Sequence, residues 1–137
     1  MRYLDFLVAN CQFLAFGFAT ALFSAFGQTF FIAVFGGELR AEFGLSHGEF
    51  GSVYSLATVA SGVTLIWAGR QIDQFSLQLF SGLVCVVLVL ACLSMAWASS
   101  LAMLGFAIFI CRLAGQGLMS HTALTSMARY FERDRGK

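Results

Sequence analysis

Charge is scarce in this chain: only 11% of its 137 residues are Asp, Glu, Lys or Arg, against about 25% in soluble domains. The net charge is +1, so no basic field points to nucleic acid as a partner. There is no CxxC pair, and Cys11, Cys85, Cys92 and Cys111 all sit inside apolar runs. They read as small buried hydrophobes, not as a disulfide framework. His47 and His121 fall in different segments without other ligand types at metal spacing, so neither a metal site nor a cofactor is expected. HExxH, a Ser/His/Asp grouping and paired intramembrane carboxylates are all missing, which argues against an enzyme. Ser120 beside His121 does not change this, because adjacent helix residues do not face each other. A cleavable leader is also a poor reading: Arg2 is offset by Asp5, and the apolar stretch 13–36 far exceeds an h-region of about 7–15 residues.

What remains is hydrophobic. Such residues make up 59% of the chain, more than a soluble globule this small could hide. They fall in four long runs, each able to cross about 30 Å of hydrocarbon at 1.5 Å per helical residue. The expected fold class is an all-α membrane protein with four transmembrane helices over 6–36, 48–69, 77–98 and 101–127, and no soluble domain. Gly36-Gly37 is expected to end the first span, since glycine commonly terminates helices. A short hydrophilic loop, 38–47, follows. Ser46 with Glu49 three residues later reads as a capping box opening the second span. A polar turn at 70–74 closes the second span, and Ser99-Ser100 turns the third into the fourth.

Basic residues set the orientation. With the N-terminus cytoplasmic, the inner side collects Arg2, Arg70, Arg129, Arg133, Arg135 and Lys137, while the outer side holds Arg40 among Glu38, Glu42 and Glu49. An integral, multi-pass protein of the plasma or inner membrane is expected, with the lipid bilayer as its first partner.

The four helices differ chemically. The third contains no ionisable residue and can face lipid over most of its circumference. The first carries Asn10, Gln12, Thr20, Ser24, Gln28 and Thr29, and the fourth carries Arg112, Gln116, Ser120, His121 and Thr122. Polar groups inside hydrocarbon must find partners or water, so helices one and four are the expected walls of a hydrated cavity. Small residues at Gly17, Ala21 and Ala25 in the first helix, and at Gly48, Gly51, Ser52, Ser55, Ser61 and Gly62 in the second, read as close-packing positions.

Arg112 is the residue most in need of explanation. It lies about eleven residues into its helix, roughly 16 Å from the outer end. An arginine at that depth costs about 2.5–3.5 kcal/mol on insertion scales. Every carboxylate in the chain sits at an end or in a loop, so the guanidinium must face water, backbone carbonyls, Gln116 one turn away, an acid elsewhere in an assembly or an anionic ligand. A structural arginine bonded to neighbouring helices is the alternative. Gln28 could hydrogen-bond a substrate across the cavity, or bridge two helices. His121 near the inner face is a candidate proton relay or a passive interfacial residue. Gly69 and Asp73 mark the exit of the second helix, where Asp73 could accept backbone N–H groups at another helix start or serve simple turn chemistry.

Taken together, Phe26-Gly27-Gln28-Thr29-Phe30-Phe31, Gly69-Arg70-Gln71-Ile72-Asp73, Arg112-Leu113-Ala114-Gly115-Gln116-Gly117 and the stretch 128–137 resemble the major facilitator superfamily of secondary transporters. The resemblance covers essentially the whole chain. It implies two six-helix bundles built from inverted three-helix repeats, with the substrate bound between them. On that pattern this chain is an N-terminal fragment, and the missing C-terminal helices of the same transporter are its partner. Two departures stand out. Gln74, Ser76, Gln78 and Leu79 replace the basic residues and glycine that usually follow the loop aspartate. The family's proton-antiporter signature places glycine four residues after the arginine, whereas Gly115 and Gly117 lie three and five after Arg112, so antiport is not inferred.

The expected function is secondary active transport of a small solute by alternating access. Arg112, Gln28 and Gln116 would bind substrate, an organic anion being favoured because no intramembrane acid accompanies Arg112. Gly69 and Asp73 would form the conformational loop motif. The competing expectation is a complete four-helix structural or assembly subunit that does not transport by itself.

Overall fold

The computed structural model describes residues 3–131; Arg2, Glu132, Arg133, Asp134, Arg135 and Lys137, which entered the orientation and tail readings, lie outside them. Among the described residues every regular element is helical. The first span contains α1 (Tyr3–Ala9), α2 (Cys11–Phe23), a 3₁₀ turn (Ser24–Gly27) and α3 (Thr29–Val34), followed by α4 (Gly36–Phe43). The second is α5 (His47–Ala68), tightening into a 3₁₀ turn (Gly69–Asp73). The third is α6 (Leu77–Ala96). The fourth is α7 (Leu101–Cys111), a π-helical stretch (Arg112–Met119) and α8 (Ser120–Tyr130). Three of these spans are long and apolar enough to cross a membrane, and Cys11–Gly27 is a shorter apolar helix.

Serines open the last three spans. The Ser46–Glu49 capping box forms in both directions, Glu49 N–H donating to Ser46 Oγ at 3.2 Å and Ser46 N–H to Glu49 Oε2 at 2.8 Å. Ser76 and Ser100 accept from Leu79 N–H and Met103 N–H. Each bond satisfies one of the orphan donors of a helix start.

Gly36-Gly37 does not end a helix; it begins α4, and much of the expected loop is helical. The terminator is Gly44, the one described residue with positive φ, at 62°. A glycine stops a helix by adopting the left-handed conformation, and Gly36 and Gly37 do not adopt it. Glu38 in the first turn of α4 further favours that start.

The fourth span is the centre of the bundle. Half of its most apolar stretch is buried, against 28% for the third span and 11% for the second. Leu104, Ile108 and Cys111 pack with Ile32, Ala57 and Ala91 in one cluster. Ala114 and Met119 pack with Ile72, Phe80, Val84 and Leu88 in another. On α6 the buried positions Phe80, Val84, Leu88 and Ala91 trace one stripe at helical spacing, leaving Val86 and Leu90 exposed. Phe18, Val59, Ile66 and Trp97 are likewise exposed. Apolar surface on that scale suits lipid, not water.

Cysteine burial differs from expectation: only Cys111 is buried, Cys92 is half-buried, and Cys11 and Cys85 are exposed. An apolar run in a membrane helix has an outward face as well as an inward one.

Candidate functional site: the Arg112 cleft

The first and fourth spans run antiparallel in a continuous register. Phe13 stacks on Tyr130 with centroids 3.9 Å apart, and Gly17 lies against the Met127 side chain. Gly27 meets Gly115, and Thr29 meets Arg112. The buried face of α2 and its 3₁₀ turn is Gly17, Thr20, Ser24 and Gly27. Ala21 is exposed, so the small-residue ladder is displaced from the Gly17/Ala21/Ala25 spacing.

At Gly27 both helices deform. A Cβ there would sit 2.1 Å from the Cys111 carbonyl oxygen, and one on Gly115 would sit 2.6 Å from Gly27 N. No side chain fits between them. The chain has no proline, so this backbone crossing accompanies the break in the first span, where Gln28 turns extended at φ −77°, ψ 152°. On the other side the fourth span widens into the π stretch beginning at Arg112, a geometry found often at functional sites.

Arg112 is 7% exposed. Its Nη1 donates to Thr29 Oγ1 at 2.8 Å, and Tyr54 Oη donates to the same oxygen at 2.9 Å. The Tyr54 ring lies 5.2 Å from the guanidinium carbon, within cation–π range. No carboxylate pairs with Arg112 among the described residues; the ion pair formed there is Arg129–Asp73. Arg112 Nε has no hydrogen-bond partner, and neither have Thr58 Oγ1 and Gln116 Oε1. Leaving a buried polar group unmatched costs about 1–3 kcal/mol, more when it is charged. All three atoms belong to residues lining one cleft of about 230 Å³, completed by Ser61, Gly62, Leu65 and Gly117.

The structure brings Arg112 and Gln116 to this cleft but not Gln28, which is half-buried and forms no side-chain hydrogen bond among the described residues. Its neighbour Thr29 reaches the arginine instead. The second span, not the first, supplies the facing wall. The polar count misled because Thr20, Ser24 and Thr122 satisfy their hydroxyls on carbonyls of their own helices and ask nothing of a cavity. Tyr54, Thr58, Ser61 and Leu65 were the missed residues. Their spacing of four, three and four places them on one helical face, a signal present in the sequence.

At the other end of the bundle, Gly69, Arg70, Asp73 and His121 line a second pocket of about 380 Å³ with Gly62, Leu65 and Ile66. Asp73 accepts from the Arg129 guanidinium instead of capping a helix start, tying the exit of the second span to the end of the fourth. A Cβ on Gly69 would find His121 at 3.8 Å, ordinary contact, so close approach does not demand glycine there. His121 is exposed.

Comparison with curated proteins and with solved structures finds no significant match. The Major Facilitator Superfamily profile matches residues 17–137, a range that contains the crossing at Gly27, the Arg112 cleft and the Asp73–Arg129 pair. With its helical spans, broken first helix and match over most of its length, the chain belongs to the major facilitator superfamily.

Proposed function

We propose that this protein moves a small organic anion across the membrane by alternating access, with the Arg112 cleft as its substrate site. One observation carries the reading: Arg112, Thr58 and Gln116, each with a buried side-chain atom that has no hydrogen-bond partner, line a single cleft. A cation in a membrane span with no acid beside it is a functional site by default. Thr29 and Tyr54 hold the guanidinium in place.

In this reading the N-terminus is cytoplasmic, and Gly69, Asp73 and Arg129 form an inner latch that opens as the bundles rock. His121, exposed beside Arg70 and Asp73, is the proton relay. The cleft is closed from the other side by a second bundle formed by further helices of the same transporter. The exposed face of α5 supports that arrangement, since a Cβ at Gly48, Gly51 or Gly62 would meet no atom within 4 Å.

The test is uptake of mono- and dicarboxylates by the full-length protein in proteoliposomes, with and without Arg112→Ala. Loss of roughly two orders of magnitude in kcat/KM is expected from removing a charge-assisted contact. Unchanged uptake of every anion would overturn the reading.

A further inference from the structure

Two cavities flank one leucine. The Arg112 cleft, of about 230 Å³, and the pocket of about 380 Å³ at the Asp73 end of the bundle share two lining residues, Gly62 and Leu65. Gly62 has no side chain, and a Cβ there would meet no atom within 4 Å. Leu65 is therefore the one side chain that both cavities share. We propose that Leu65 is the gate through which the transported anion passes between the Arg112 cleft and the Asp73 end of the bundle; this inference rests on the substrate-site reading above.

The leucine is seated in a gap left by a missing side chain. A Cβ on Gly117 would fall 2.9 Å from Leu65 Cδ1 and 3.2 Å from Cδ2, so glycine at 117 lets the leucine lie against the fourth span. Leu65 Cδ1 also lies 3.9 Å from the place a Gly69 Cβ would take. Thr58, Gly62, Leu65 and Gly69 follow one another at spacings of four, three and four, along one face of the second span. Thr58 lines only the cleft, Gly69 lines only the second pocket, and Leu65 comes between them. Being apolar, the leucine gives a passing ion nothing to replace its water. It is only half-buried, and the open space at Gly62 lets it swing clear by a change of rotamer.

Beyond the leucine the charge suits an anion. Asp73 is matched by Arg129, the ion pair formed among the described residues. Arg70 lines the same pocket and has no such pair among those residues. An anion leaving Arg112 thus meets a second unmatched cation on the other side of Leu65.

The experiment uses the full-length protein in proteoliposomes, cysteine-free apart from one reporter, with an anionic methanethiosulfonate supplied to one face. Thr58→Cys reports on the cleft and Arg70→Cys on the second pocket; the face chosen is the one from which Arg70→Cys reacts. Leu65→Ala is expected to speed labelling of Thr58→Cys roughly tenfold, a fall of about 1.4 kcal/mol in the barrier, while Arg70→Cys keeps its rate. Leu65→Met, a volume-conserving change, should leave Thr58→Cys slow. An unchanged Thr58→Cys rate in Leu65→Ala, an equal rise at Arg70→Cys, or equally fast labelling in Leu65→Met overturns the gate. If uptake still depends on Arg112, the substrate site then stands without it. Acceleration confined to Thr58→Cys, with uptake indifferent to Arg112→Ala, supports the gate and defeats the substrate site.

Discussion

Gly27 and Gly115 touch backbone to backbone, at the point where the first span breaks and the fourth widens. The contact brings Thr29, two residues on, within 2.8 Å of Arg112. Packing and site geometry therefore depend on the same pair of missing side chains.

Gly27→Ala should be strongly destabilising, because its Cβ would fall 2.1 Å from a backbone oxygen that cannot swing away. Overpacking typically costs about 1–3 kcal/mol, occasionally more. Gly17→Ala should cost less, since its clash at 2.6 Å is with the flexible end of Met127, and Gly37→Ala, with open space around it, should be near neutral. Thermal unfolding in detergent of the three variants checks the order; equal losses would refute it.

Thr29→Val keeps the shape but removes the oxygen that accepts from both Arg112 and Tyr54. Hydrogen bonds to charged groups are worth about 1.5–3 kcal/mol, so a loss of roughly ten- to a hundredfold in kcat/KM for the transported anion is expected. Thr29→Ser should recover most of it. A Val variant that transports like wild type would show that Thr29 does not position the guanidinium.

Arg129→Ala and Asp73→Asn should change stability by less than about 1 kcal/mol, because the pair is well exposed. Their effect should appear in transport rate instead, and the exchanged pair Asp73→Arg with Arg129→Asp should regain part of it. A stability loss far above that limit would mean the pair does more for folding than its exposure allows.

Cysteine labelling separates water from lipid. Gly62→Cys lines the cleft and has open space around it, whereas Leu90→Cys projects from the exposed apolar side of α6. In a cysteine-free background, a charged thiol reagent should modify the first and spare the second. The opposite pattern would make the cleft greasy and remove its claim on an anion.

Much of this was legible because membrane segments obey local rules. Hydropathy over a run of about twenty residues marks a span wherever the run lies in the fold. The Ser46–Glu49 cap is local too, closing over three residues. Arg112 stood out because cost at depth depends on the residue itself. Gln28 misled because polarity says that a partner is needed and not where the side chain will point once the helix breaks beside it.

Composition and periodicity alone determined that the chain is helical, lies in lipid and carries a cation within its fourth span. Those properties follow from transfer free energies that each segment carries by itself. Tertiary structure decided that Gly44 stops a helix where Gly36-Gly37 does not, that the second span and not the first faces Arg112 across the cleft, and that Asp73 takes Arg129. Each of these depends on which backbones approach closely enough to touch, a distance between segments far apart in sequence.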